Sequence, residues 1–245
     1  LARMLTWVEQ NEDANQVSTF LDGLKKSSTT PVIGLTGTGG AGKSCLTDEL
    51  VRRFLEEFPQ RRVAVVSVDP SKRKTGGALL GDRMRMNAIQ HPNVFMRSLA
   101  TRRSHLATSE SLLPILRLLR ASSFDLILVE TAGIGQSDTE ITDLADLSVY
   151  VMTPEYGAST QLEKIDMIDY ADCIVINKFD KPGAEDALDA VRKQYRRSHL
   201  KFDDPVENLP VFGIVANRFN DKGTNWFYFR LLEFCLLYTS DAADD

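Results

Sequence analysis

The stretch Gly37-Thr38-Gly39-Gly40-Ala41-Gly42-Lys43-Ser44, "GTGGAGKS", follows the apolar run "PVIGLT" and satisfies two patterns at once. Gly37, Gly39 and Gly42 fit the G-x-G-x-x-G of a dinucleotide fold, and the whole fits G-x-x-x-x-G-K-[ST], the phosphate-binding P-loop. A dinucleotide site wants an acid about 20 residues past the glycines to bind the ribose. Asp69 does end the second apolar run, but 27 residues after Gly42. The dinucleotide pattern also has no use for Lys43-Ser44, whereas a P-loop needs both. Its backbone N–H groups and the helix N-terminus surround the phosphates, Lys43 bridges the β- and γ-phosphates, and Ser44 ligates Mg²⁺. The stretch is therefore read as a P-loop, with Gly37, Gly39, Gly40, Ala41, Gly42, Lys43, Ser44 and Cys45 as the phosphate cradle.

The rest of the chain supplies the strand–loop–helix context. Strands are expected at 31–37, 62–69, 124–130, 147–152, 172–177 and 211–217, with a weaker seventh at 93–99. These are near-continuous Val/Ile/Leu runs, as expected of parallel strands covered on both faces. Helical spacing is expected at 44–58, where Leu46, Leu50, Val51, Phe54, Leu55 and Phe58 share one side, and at 105–121, 138–146, 160–170 and 184–198. This alternation predicts an α/β P-loop NTPase, a mainly parallel central sheet with helices on both faces and right-handed crossovers.

A P-loop alone specifies a nucleoside triphosphate without its base. The base is read by "NKFD", Asn177 to Asp180, at the end of the strand "DCIVI". Asp180 can accept from guanine N1–H and the 2-amino group, a pair that adenine does not offer, while the Lys178 stem packs along the base. Four residues after a strand also suit a plain polar turn, but with the P-loop they point to guanine. A third element, "VETAGIGQSD" (129–138), carries D-x-x-G with Glu130 in place of Asp, and its Gly133 amide is placed to sense a γ-phosphate. In "VDPSKRKTGGALLGDRMRM" (68–86), Asp69 and Asp82 can reach Mg²⁺ or its waters, or simply cap the following turn and helix.

The chain has 245 residues, 43% hydrophobic and 26% charged, enough to bury the core of one large domain. A net charge of −5 argues against a dedicated nucleic-acid binder. Between Lys72 and Arg103, eight Lys or Arg face a single acid, Asp82, which reads as a solvated face or as screening near phosphate. Three cysteines without C-x-x-C spacing suit reduced cytoplasmic thiols, with Cys45 and Cys173 expected as small buried apolar residues. No stretch reaches the roughly 18 apolar residues of a membrane span, and there is no signal peptide. Residues 1–24 read as a linker or helix from a preceding domain and 25–234 as the GTPase domain. Residues 235–245, from "CLLYTSDAADD", read as a non-native tail, and "GTNWFYFRLL" leaves the terminal helix in doubt.

At "GAGKS", "DPS" with "TGGALLGDRMRM", "ETAGIGQSD" and "NKFD", the sequence resembles the G-protein chaperones of adenosylcobalamin-dependent acyl-CoA mutases. These are relatives of the signal-recognition-type and nickel-insertion GTPases. "ETAGIGQSDTEI", "TPEYGASTQLEKIDM" and "NKFDKPGAEDAL" are most similar to the GTPase domain built into fused isobutyryl-CoA mutases. The resemblance covers about residues 25–230. It implies GTP/GDP binding and hydrolysis, with Lys43, Asp69 and Glu130 catalytic. Mg²⁺ ligation falls to Ser44, Asp69, Asp82 and Glu130, directly or through water, and base recognition to Asn177, Lys178 and Asp180. It further implies that 154–166 is a switch facing the mutase, that the protein is a homodimer, and that GTP turnover gates cobalamin loading. None of His91, His105 or His199 lies in a D-x-H-x-x-G context, so cobalamin itself is expected only on mutase domains outside this chain. A free-standing chaperone, or a GTP-binding module with negligible hydrolysis, remains the alternative. A partition-type ATPase is disfavoured by Thr38, where a second Lys is expected, and by "NKFD". A nickel-insertion role is disfavoured by the lack of a His/Cys cluster.

Overall fold

The computed structural model describes residues 1–11, 13–24, 30–70, 86–101, 111–131, 136–157, 162 and 165–241. For 69–70, 100–101, 136–138 and 236–241 it describes the backbone alone. Among the described residues, seven strands form one sheet: β1 (Val32–Gly37), β2 (Val63–Pro70), β3 (Val94–Thr101), β4 (Leu126–Thr131), β5 (Leu147–Met152), β6 (Cys173–Ile176) and β7 (Val211–Gly213). The order across the sheet is β3-β2-β4-β1-β5-β6-β7, and every neighbouring pair is parallel.

The helices are α1 (Ala2–Gln10), α2 (Ala14–Asp22), α3 (Lys43–Glu57), α4 (Leu112–Arg120), the single turn α5 (Met167–Tyr170), α6 (Ala184–Ser198) and α7 (Lys222–Asp241). Successive strand residues point to opposite faces, and both faces are covered. Val32, Val66, Ile127, Val129, Met152 and Ile174 pack with α1, α2, α4, α5 and α6. Ile33, Leu35, Val65, Leu128, Val149 and Val175 pack with α3 and α7. Double coverage is what makes these strands read as unbroken apolar runs.

All seven expected strands form, within a few residues of the expected ends. The weak candidate at 93–99 is a full strand at the sheet edge, paired with β2 along its whole length. The last strand is shorter than expected, because beyond Gly213 the chain leaves the ladder. The Ile214 amide still bonds Ile176 O at 2.9 Å, and the Ala216 amide turns to the Asn177 side chain at 3.1 Å.

The helix expected at 138–146 forms instead as a 3-10 segment, Gln136–Asp143. Its Ile141 presses on β1 so closely that a Cβ at Gly34 would lie 2.4 Å from Ile141 Cγ1. Of the helices expected at 105–121 and 160–170, the described parts are α4 and α5; residues 102–110, 158–161 and 163–164 lie outside the described residues. Pro114 sits in the first turn of α4, where its missing N–H has no helical partner to lose. The terminal helix left in doubt is α7, which buries Phe227, Tyr228, Leu231, Leu232 and Cys235 on the α3 face.

Cys45 corrects an expectation: it is exposed rather than buried. Lys43, Leu46, Thr47, Leu50, Val51 and Phe54 define the inner face of α3, and Cys45 lies a third of a turn away from that stripe. Cys173 is half-buried, and burial pushes its thiol up to about 12.

Candidate functional site

The strand order places the site. β1 leaves the sheet through α3 on one face, while the 3-10 connection from β4 to β5 crosses β1 on the other, so a crevice opens beyond its C-terminal end. The loop Gly37–Gly42 fills that crevice and leads into α3, whose first N–H groups have no helical partners.

Two glycines are required by geometry. Gly37 has φ +140°, and a Cβ there would lie 1.8 Å from Val151 O on the adjoining strand. Gly42, the residue preceding α3, has φ +93°, and its Cβ would lie 2.4 Å from Asn177 Nδ2. Gly39, by contrast, opens onto free space. Lys43 is buried, and its Nζ donates to Gly37 O at 2.9 Å and Thr38 O at 3.2 Å. The ammonium therefore lies inside the arch of the loop.

Ser44 Oγ donates to Glu130 Oε1 at 2.7 Å, joining the first turn of α3 to the end of β4. Thr47 Oγ1 lies 3.0 Å from Lys43 O and 3.4 Å from Glu130 Oε2. The Glu130 carboxylate is 4% exposed and faces two hydroxyls. Thr36, Thr38 and Thr131 line the same strand ends, and their buried hydroxyls have no hydrogen-bond partner among the described residues. Hard oxygen donors at the mouth of a phosphate loop match the ligand preference of Mg²⁺.

The second half of the site is tied to the first. Asn177, 4% exposed, donates from Nδ2 to Ala41 O at 2.8 Å. Its Oδ1 accepts from the Lys178 amide at 2.8 Å and from the Ala216 amide at 3.1 Å. Lys178 has φ +59°, and its Nζ donates to Gly40 O at 2.8 Å. Asp180 follows on the surface of the turn. The "NKFD" segment is thus bolted to the P-loop at Gly40 and Ala41.

Of the residues singled out in the sequence, the structure brings together Gly37 to Cys45, Glu130, Asn177 and Lys178, with Asp180 close behind. Asp69 continues β2 at the same end of the sheet, opposite Ala100, with its side chain undescribed. Asp82 and Gly133 lie outside the described residues. Among the described residues there is no group of three or more His, Cys, Asp or Glu placed to hold a metal, and no helix long and apolar enough to cross a membrane.

The sequence reading missed Thr47, which stands three residues past Ser44 on the same helix face. It also missed Ala216, whose contribution is a backbone amide, and Asp221. Asp221 Oδ2 accepts from the Val215 amide at 3.1 Å, and from the amide and hydroxyl of Thr224 at 2.9 Å each. A strand followed by "VANRFND" was the available signal.

At the segment's edge, Lys181 pairs with Glu155, and that hydrogen bond holds the Glu155 carboxyl at about 2. A Cβ at Gly157 would lie 2.3 Å from Ala187 Cβ, so the turn 154–157 rests directly on α6.

Comparison with known proteins agrees with this geometry. The chain is 60% identical over 203 residues to a fused isobutyryl-CoA mutase from Geobacillus kaustophilus, a match that takes in 83% of this chain and 19% of that one. It is 52% identical over 229 residues to the fused isobutyryl-CoA mutase of Cupriavidus metallidurans, covering 93% of this chain and 21% of the relative. The chain therefore spans about a fifth of the length of these relatives. Among solved structures, the LAO/AO transport system kinase superposes with a TM-score of 0.65 at 24% identity, covering 99% of this chain and 75% of that one, a likeness of fold. The model of the methylmalonyl-CoA mutase-associated GTPase MeaB matches residues 1–219, and the chain belongs to that family of P-loop GTPases.

Proposed function

We propose that this chain is a Mg²⁺-dependent GTPase domain whose nucleotide cycle gates the loading of adenosylcobalamin onto acyl-CoA mutase domains. The observation that carries the nucleotide part is the bridge from Asn177 to Ala41 and from Lys178 to Gly40, which fixes a guanine-type motif against a phosphate loop. In this reading the amides from Gly37 to Ser44 and the N-terminus of α3 hold the phosphates. Lys43 exchanges its loop carbonyls for β- and γ-phosphate oxygens. Asn177 orients the base turn, Lys178 packs along the base, and Asp180 accepts from N1–H and the 2-amino group.

Ser44 and Glu130 supply oxygen ligands, with Asp69 and Asp82 as further candidates. Bound there, Mg²⁺ would neutralise charge on the β- and γ-phosphates. Lys43, Asp69 and Glu130 are the catalytic set in this proposal, and Gly133 the γ-phosphate sensor. The mutase part is supported by the fused relatives, which carry an isobutyryl-CoA mutase name over a chain more than about four times as long. By the same reading the segment 154–166 faces the mutase, cobalamin stays on the mutase domains, and the GTPase works as a cytoplasmic homodimer.

Calorimetry with Mg²⁺–GTP and Mg²⁺–ATP tests the base assignment. A site built to hydrogen-bond a group rejects the analogue lacking it by several kcal/mol, so GTP is expected to bind at least about 100-fold more tightly. Asp180→Asn should move the preference toward the xanthine nucleotide. Equal affinities for GTP and ATP would remove the guanine assignment.

A further inference from the structure

A groove of about 850 Å³ runs along the outer side of α3. Its lining includes Cys45 and Asp48, in the first two turns of that helix, and Ala216, Asn217 and Phe219 of the loop after β7. Cys45 directly follows Ser44, so the groove adjoins the phosphate cradle. The Ala216 amide bonds Asn177, so the same groove adjoins the base motif. A nucleotide with its phosphates on the N-terminus of α3 and its base edge toward Asp180 would have this wall beside its base.

Phe219 is the conspicuous residue of that wall. It is 85% exposed, more than any other large apolar side chain among the described residues. A ring held in water earns nothing from folding, yet the loop that presents it is firmly built. The Ala216 amide is fixed on Asn177, and the Arg218 amide closes a turn on Val215 O at 2.9 Å. Asn220 takes a left-handed φ of +53° and accepts from Asn225 Nδ2 at 2.9 Å, while Asp221 ties Val215 to the first turn of α7. Both flanks of Phe219 are therefore fixed to the core. A flat, amphipathic-faced base beside such a ring gains area burial and offset stacking, and an aromatic platform of this kind serves any base whose edge is read elsewhere.

We infer that Phe219 packs against the face of the guanine base, as a binding residue that adds affinity while Asp180 supplies the edge recognition. The inference rests on the GTP reading above and adds a residue outside all the motifs that led to it.

The test uses the 245-residue chain with Phe219→Ala, Phe219→Leu and Phe219→Trp, and Mg²⁺–GDP as the probe in calorimetry and fluorescence. Stacking on an aromatic residue predicts about a tenfold loss of GDP affinity for the Ala and Leu variants. The Trp variant should bind within about threefold of the parent, since an indole stacks at least as well. It should also gain a GDP-dependent quench that the parent, with Trp7 and Trp226 alone, lacks. Because the ring is exposed, circular dichroism should be unchanged in all three. Parent-like GDP affinity in Phe219→Ala overturns the inference and leaves the ring as a surface for a protein partner. Equal weakening by Leu and Trp overturns it as well. If the parent chain binds no GDP, the GTP reading itself fails and the inference falls with it.

Discussion

Lys43 is a charged side chain held out of water, which is tolerable only when its donors are used. Gly37 O and Thr38 O use two of them, so the lysine is positioned by the loop it serves rather than by the hydrophobic core. Truncating it removes the charge but little packing, and alanine is the best helix former for the first residue of α3. Lys43→Ala is therefore expected to keep the far-ultraviolet circular dichroism of the parent. Nucleotide affinity should fall by at least about 30-fold, the usual penalty for deleting one side of a buried charged contact, and phosphate release should disappear. Unfolding of the variant would mean that Lys43 is structural. Lys43, Ser44 and Asn177 were legible because each belongs to a short motif with its own chemistry. Thr47 and Ala216 were not, because they act on partners 83 and 39 residues away and by a plain hydroxyl and a backbone amide, which leave no local pattern.

Elements were legible to the degree that burial imposes a pattern. The strands of the sheet lose both faces to helices, so their apolar runs announced them, including the edge strand β3, whose "NVFMRSL" is interrupted by Arg97. That arginine pairs with Glu9 of α1, and the pairing explains the charge in the strand. α1 and α2 were read only as a linker or helix, since "VEQNEDANQ" between them is polar and the apolar stripes are short. In the structure Leu5, Val8, Val17 and Leu21 are buried in the same core as Leu112, Ile115 and Leu119 of α4, and Asp13 caps α2 through the amides of Asn15 and Gln16. Burying each such aliphatic side chain is worth roughly 1.5–3 kcal/mol, so the four together rival the roughly 5–15 kcal/mol net stability of a typical domain. Deleting residues 1–24 is accordingly expected to abolish cooperative thermal unfolding, or to lower the midpoint by well over 10 °C by the usual scaling of about 2–4 °C per kcal/mol for a domain of this size. A truncated chain that melts like the parent would show that the two helices are an appendage.

At the scale of the whole molecule, the proposed function requires the nucleotide state to reach mutase domains, and the described structure offers a route for that proposal. Lys181, directly after the base motif, pairs with Glu155, and Gly157 lies against Ala187 of α6, so the turn 154–157 is mounted on the element that follows the base site. Onward from that turn runs "ASTQLEKID", of which 158–161 and 163–164, including Gln161, Glu163 and Lys164, lie outside the described residues. In the proposed reading, this charged stretch of sequence makes different contacts in the two nucleotide states. In this chain joined to mutase domains, Lys164→Ala should leave GTP affinity within about twofold. It should weaken both the stimulation of hydrolysis by the mutase and the nucleotide control of cobalamin transfer by several-fold, the size expected of a coupling energy of about 1–3 kcal/mol. Glu155→Gln separates the mounting from the message. The hydrogen bond from Lys181 lowers the Glu155 carboxyl pKa to about 2, so mild acid leaves it ionised and mutation is the direct way to remove the pair. If Glu155→Gln reduces coupling as Lys164→Ala does, with GTP affinity unchanged in both, the turn and the segment act as one switch. If either variant instead loses GTP binding while coupling per bound nucleotide stays at the parent level, the segment belongs to the nucleotide pocket, and the signal to the mutase must leave by another surface.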